Sequence, residues 1–440
     1  MNVAGLSFDQ IPPLKIPFRF YAGAAAFAFI AGVLMIINQL APQGQGLWFS
    51  RWQPQLIALV HLFTLGVMGQ VMLGSLFQLM PVLAGAPIRL AERLALPIQL
   101  LMVVGVSLLS WALYFQSAEF YPYAGGLIFA GLLLFLSSML QFLPQIKTLS
   151  QSLFGISMAA ICLLLTLLSG LALLGVLAGW WGLDLARWTN NHAIIGLFGW
   201  AGLLVTVVSF QVIPMFHVTA DFPAIWKRLS PLLILILIIA SCLVGGWFRQ
   251  LLLSGVLGLL IAQAALSIRL LLITRRRLTD ATRRFWLVSW SSLITGSFVL
   301  FVSGLQQYIS LPLTLDSIQF SLLAGWLLLI GFFYSAILGM LLKIGPFLVF
   351  LRLQRRCMED PLMMPRIMEL PGFNEVLPKR NGRWLLLSQI ALLLTGVVGM
   401  FWPPLMLLVG IIMATQAVWL LLAIVLPCWR FHQDWLTGKV

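Results

Sequence analysis

Four histidines stand among the 440 residues, and two of them, His61 and His192, have the setting that a metal or cofactor site requires. Each lies a few residues inside a long apolar run, where an uncharged imidazole needs a hydrogen-bond partner or a metal. A buried ring donating to a main-chain carbonyl meets that need without any function, and a ligand meets it with one. Met68 and Met72 follow His61 at i+7 and i+11, on nearly the same helical face, and thioether beside imidazole suits haem iron or Cu(I). Methionine stripes in apolar helices more often serve packing. The candidate cofactor ligands are therefore His61 and His192, with Met68 as a further metal ligand. Gly66, Gly69 and Gly74 follow His61, and Gly196, Gly199 and Gly202 follow His192. Glycines at such spacing let helices approach closely, or let a flat macrocycle lie against a helix.

The remaining reactive residues carry less. His217, in PMFHVTADFP, follows a helix-breaking Pro214, and His432 lies in the C-terminal tail; both are expected at the surface or as caps. Asn190 and Asn191 directly precede His192 and are expected to cap its helix. Cys162, Cys242, Cys357 and Cys428 are scattered, giving neither a disulfide framework nor metal-ligand spacing. Phosphate-binding glycine loops and nucleophile elbows are absent from the sequence. Every Asp and Glu falls in a loop or at a helix end, which disfavours ion-coupled transport, where a charge must bind at mid-membrane. Lys343 is the one cation well inside an apolar run. At ~38 Å along that run it reaches the inner interface, where it is expected to snorkel to water.

The elements that position these residues are membrane spans. The chain is 61% apolar and 9% charged. Runs long enough for a ~30 Å hydrocarbon core occur near 18–40, 55–83, 94–115, 122–146, 152–180, 189–216, 230–248, 251–274, 285–308, 318–351, 384–401 and 403–428. With both termini cytoplasmic, the inner segments hold 22 of the 26 Lys and Arg, and the outer loops hold only Arg51, Arg187 and Arg249. That partition predicts orientation. It also explains the net charge of +14 as loops facing an anionic leaflet, with no nucleic-acid surface. Met1 to Pro17 is polar and does not read as a cleavable signal. The segment 352–383 is expected to be a cytoplasmic cap or partner surface.

Three stretches repeat. GVMGQVMLGSLFQLMPVL from Gly66 and GWAGLLVTVVSFQVIPMF from Gly199 superpose with an offset of 133 residues, pairing Gly66 with Gly199, Gly69 with Gly202, Gln78 with Gln211 and Pro81 with Pro214. An offset of 132 adds GFFYSAILGMLLKIGPFL, with Gly331, Lys343 and Pro346 on Gly199, Gln211 and Pro214. The period predicts three four-helix repeats: 18–83 with 384–428, then 94–216, then 230–351. The histidines are not equivalent, since His61 maps onto Ile194 and His192 onto Leu59. Two residues of offset turn a side chain by about 200°, so the rings are expected to face different inter-helix spaces.

Twelve spans, inside termini, a threefold repeat and histidines on spans two and six resemble subunit I of haem-copper oxidases, over the whole chain at the level of architecture. HLFTLGVMGQVMLGSLFQLMPVLAG, NNHAIIGLFGWAGLLVTVVSFQVIPMFHV and GFFYSAILGMLLKIGPFLVF look like a divergent bacterial branch neighbouring the NnrS-type nitric-oxide-response proteins. The resemblance implies an all-α inner-membrane protein, with His61 at the low-spin haem position of span two and His192 near the copper position of span six. The rest of that ligand set is missing: SPLLILILIIASCLVGG has no histidine pair, the run 317–350 has no histidine, and Leu59 replaces the first histidine of the NnrS-like HxHE. The implied function is non-catalytic. It is the binding of one b-type haem or copper in the outer leaflet for sensing, protection or cofactor handling, beside respiratory or cofactor-assembly membrane proteins. A cofactor-free permease or membrane assembly factor on the same scaffold is the alternative, and a purely structural subunit is the third reading.

Overall fold

In lipid no water is at hand for backbone amides and carbonyls, so an apolar run must satisfy them internally, and helices do so. The computed structural model describes residues 12–41, 50–84, 88, 90–140, 150–274, 280–308 and 317–437. Arg89, Lys147, Arg275, Arg276, Arg277 and Lys439, which enter the charge and topology argument, lie outside the described residues, as does the start of the chain through Ile11.

Among the described residues twelve helices are long and apolar enough to cross a membrane. They are α1 Lys15–Leu40, α2 Pro54–Leu83, α3 Ala91–Phe115, α4 Ala118–Leu140, α5 Gln151–Leu177, α6 Leu185–His217, α7 Ala224–Leu243, α8 Gly246–Leu272, α9 Ala281–Leu305, α10 Gln319–Glu359, α11 Lys379–Gly399 and α12 Pro403–Leu436. Each overlaps one of the expected apolar runs over most of its length, and the differences lie at the ends. Asp184 caps α6 by accepting from the Arg187 amide at 3.0 Å, so α6 starts before Asn190 and Asn191, which are not its caps. The α7–α8 turn falls at Val244–Gly245, earlier than the expected boundary, because Gly246 takes φ 58°, a conformation that favours glycine. Helix α10 continues through the basic segment to Glu359, so the expected loop 352–383 is partly helical. Pro214 does not break α6, which runs on to His217 and ends at Val218 with φ 53°. Pro81 and Pro346 likewise lie inside helices.

Helices α2, α6 and α10 form the interior. Of their most apolar windows 72%, 61% and 89% is buried, against 28–50% for the others. All three contain a π-helical segment, at Leu62–Gly69, Ile195–Gly202 and Leu327–Tyr334. The starts of these segments are separated by the same 133 and 132 residues as the sequence motifs. A π-turn bonds amide i to carbonyl i−5 and widens the helix, leaving carbonyls for other donors. Gln389 of α11 donates to the Ile330 carbonyl at 2.8 Å, and Ser289 of α9 to that of Phe332 at 2.9 Å.

The three inner helices enclose a narrow apolar cavity of about 160 Å3. The triplets Met72, Val205, Ile337; Ser75, Val208, Met340; and Leu79, Val212, Ile344 all line it, and each is spaced by the motif offsets. Contacts to the outer layer repeat too: Gly66 admits Phe27 where Gly331 admits Ser292, and Gly74 admits Phe20 where Gly339 admits Phe285. Helices α1 and α12 touch backbone to backbone, since a Cβ on Gly32 would stand 2.6 Å from the Ala414 nitrogen.

Three polar residues depart from expectation. Lys343 does not snorkel: it is 8% exposed and its Nζ lies 2.6 Å from Oδ2 of Asp280, the residue that caps α9. The ion pair replaces the water that a lysine at this depth would otherwise seek. His217 is buried rather than superficial, at 2% exposure, and its carbonyl accepts from the Thr274 hydroxyl. His432 is also largely buried, beside Trp429, because α12 continues as helix into the tail.

Candidate functional site

His61 ends the α-helical first part of α2, one residue before the π-segment begins. Its Nδ1 lies 2.8 Å from the Ile57 carbonyl one turn back. His192 stands near the corresponding end of α6, and its Nδ1 lies 3.1 Å from the Thr166 carbonyl and 3.1 Å from the Ser169 hydroxyl of α5. A carbonyl only accepts, so Nδ1 carries the proton in both rings and Nε2 keeps its lone pair. Gly170 makes room for this contact, since a Cβ there would be 3.1 Å from Cε1 of His192.

The two rings come together. Their centroids are 6.1 Å apart and their planes differ by 21°. The expectation that they face different spaces is therefore overturned. Register along a helix tells where a side chain points only relative to that helix, and α2 and α6 approach the shared space from different sides. Both histidines line one cavity of about 460 Å3. Met68, Gly69 and Met72 of α2 also line it, as do Gly196 and Trp200 of α6. Met68 and Met72 thus line the same cavity as His61. The walls are otherwise mainly apolar, with Thr64, Thr166 and Thr189 among the few polar residues and Arg51 the one charged residue among those described.

The glycines divide between two jobs. Gly66, Gly199 and Gly331 serve close packing, against Phe27, Cys162 and Ser292. Gly69 and Gly202 close the π-segments, where a Cβ would crowd the carbonyls of Thr64 and Leu197, each five residues back. Gly69 and Gly196 also face the cavity, as a flat ligand would need. Gln78 donates to the Pro12 carbonyl at 3.2 Å, and Gln211 borders the central cavity, so neither belongs to the histidine site.

Several participants were not legible beforehand. Thr166 and Ser169, which orient His192, sit on another helix and carry no motif. Met35, Met102, Met400 and Met413 join Met68 and Met72 around the cavity from four further elements. Arg51 had a signal that pointed to the site: it is one of three cations in the loops expected to be outer and stands ten residues before His61.

Two imidazoles stand 6.1 Å apart, centre to centre, with nearly parallel planes. Neutral rings held by carbonyls at Nδ1 are what a metal-ligating histidine requires of its surroundings. Among the described residues no group of three or more His, Cys, Asp or Glu is placed to hold a metal, so any site here rests on the imidazole pair with thioethers nearby. No protein-family model and no curated protein matches the chain.

Proposed function

We propose that this chain is a bacterial inner-membrane protein that holds one b-type haem or copper ion between His61 and His192, without catalysing oxygen or nitric-oxide reduction. The observation that carries this reading is the convergence of two imidazoles in one cavity, each with its Nδ1 proton taken by a carbonyl. His61 and His192 would be the ligands, with Met68 and Met72 as soft neighbours that favour the reduced metal. Bound haem or copper would supply one-electron chemistry or gas binding, suited to sensing, protection or cofactor handling near respiratory enzymes. His217 and His432, the other two histidines of the sequence, do not line the cavity, so a second metal beside the first has no further imidazoles to draw on.

The scaffold belongs to the same proposal. Three four-helix repeats of the haem-copper oxidase subunit I type would place α2, α6 and α10 in equivalent positions, and the shared offsets of the π-segments and cavity triplets support this. Both termini would be cytoplasmic, with the histidine cavity in the outer leaflet. Purification after expression with added haem precursor or copper, followed by absorption spectroscopy and metal analysis, tests the reading. A bound cofactor that is lost in His61→Ala and His192→Ala, with both variants still inserted, is expected. A protein free of haem and copper under both conditions would favour the cofactor-free permease or assembly factor.

A further inference from the structure

The cavity enclosed by α2, α6 and α10 differs in kind from the histidine chamber. No histidine lines it and, among the described residues, no charged side chain does. Lys343 holds the motif position of Gln78 and Gln211, yet its ion pair with Asp280 takes it off the cavity wall, while both glutamines remain on it. At about 160 Å3 the space is comparable to the ~150 Å3 engineered apolar cavity that takes up benzene. An occupant is therefore neutral and about the size of one ring.

Two polar atoms on this wall are stranded. Trp286 is 2% exposed and Gln78 5%, and among the described residues neither Nε1 of Trp286 nor Oε1 of Gln78 meets a hydrogen-bond partner. The repeat explains the first. Trp286 on α9 and Tyr21 on α1 are spaced by the two motif offsets together, as Phe285 and Phe20 are. The Tyr21 hydroxyl lies 3.1 Å from that of Ser75, whereas the residue equivalent to Ser75 is Met340, whose thioether is a weak acceptor. Trp286 also stacks on Trp290 with ring planes 13° apart, which limits any swing of the indole towards another acceptor. A buried donor or acceptor left unmade carries a desolvation penalty that a ligand group can relieve.

We propose that this cavity binds a small neutral alcohol or phenol. Its oxygen accepts from the Trp286 Nε1–H and its own proton goes to Oε1 of Gln78, since a hydroxyl is acceptor and donor at once. The aliphatic wall supplied by the three inner helices takes the apolar body. Nothing in this assignment rests on a metal between His61 and His192.

The ligand pair para-fluorobenzyl alcohol and para-fluorotoluene differs by that hydroxyl, and fluorine NMR of the detergent-solubilised protein reads the binding of each. The wild type should give a bound resonance for the alcohol. In Trp286→Phe the alcohol-to-toluene affinity ratio should fall at least fivefold, and Gln78→Met should lower it as well. Both proteins meet the same micelles, so partitioning into detergent cancels in the comparison. Val208→Phe, which fills the cavity, should abolish binding of both ligands, and Val205→Phe serves the same purpose if the first variant fails to insert. A His61→Ala, His192→Ala double variant should bind the alcohol as the wild type does, and Trp286→Phe should leave any histidine-dependent metal signal in place. No bound alcohol in the wild type, or a ratio unchanged in Trp286→Phe, would overturn the proposal. So would alcohol binding that survives both filling variants but vanishes in the histidine double variant, because the ligand would then occupy the other chamber.

Discussion

Replacing Lys343 with Met keeps the length of the side chain and removes its charge. In the wild type Nζ lies 2.6 Å from Oδ2 of Asp280, with the two side chains 10% and 24% exposed. Removing one partner of a fully buried pair costs about 3–5 kcal/mol, because the other charge is left in low dielectric. Asp280 keeps some water and still accepts from the Arg283 amide at 2.9 Å, so the expected loss is smaller, about 2–3 kcal/mol. Asp280→Asn should cost a similar amount, since Asn can retain the cap on α9 and only the charge is lost. The double variant leaves no stranded charge and should lose only about 1 kcal/mol, giving a coupling of several kcal/mol. Unfolding free energies in mixed micelles titrated with sodium dodecyl sulfate provide the cycle. Additive single costs would refute the idea that this contact pins the most buried helix to the start of α9. The same pair sets an acid limb. Burial raises the Asp280 carboxyl, but hydrogen bonds from Lys343 and the Arg283 amide outweigh it, and the pKa ends below its ordinary value. Stability from a depressed carboxyl is present above its unfolded pKa of about 3.9 and is lost as pH falls through the lower folded value. The wild type should therefore weaken on acidification in that window, and Lys343→Met should weaken less.

Other expectations concern packing, topology and turnover. Gly32→Leu should destabilise by at least the ~1–3 kcal/mol of an overpacked core, because its Cβ would meet backbone atoms of Gly410 and Ala414; Gly126→Leu, with open space around it, should be close to neutral in the same unfolding assay. Reporter fusions near Arg51 and Arg187 should read periplasmic and one near Arg355 cytoplasmic, and any reversal would break the orientation drawn from loop cations. With an artificial electron donor, purified protein should consume oxygen or nitric oxide only at background rate; robust turnover abolished by His192→Ala would contradict a site built on two imidazoles.

The spans were readable because run length against bilayer thickness is a one-dimensional property, and each of the twelve expected runs overlaps one of the twelve helices over most of its length. Helix ends were less so. Asp184 extends α6 outward and the arginines from Arg352 extend α10, since helices persist beyond the hydrocarbon where composition turns polar. The π-segments carry no periodic signal of their own. The repeated Gly69 and Gly202 mark their ends only in retrospect. His61 and His192 were identifiable one by one, but their 6.1 Å approach depends on how α2 and α6 stand in space, which spacing along one chain does not encode. Lys343 was misread for the same reason, since its partner Asp280 stands at the start of a separate helix.

The central claim is that both imidazoles bind one metal centre. X-ray absorption at the iron and copper edges of the purified, loaded protein measures this directly. One metal per chain with two imidazole nitrogens at about 2.0–2.1 Å, reduced to one in either single histidine variant, is the predicted result. A centre whose spectrum is unchanged when both His61 and His192 are replaced by alanine would contradict it.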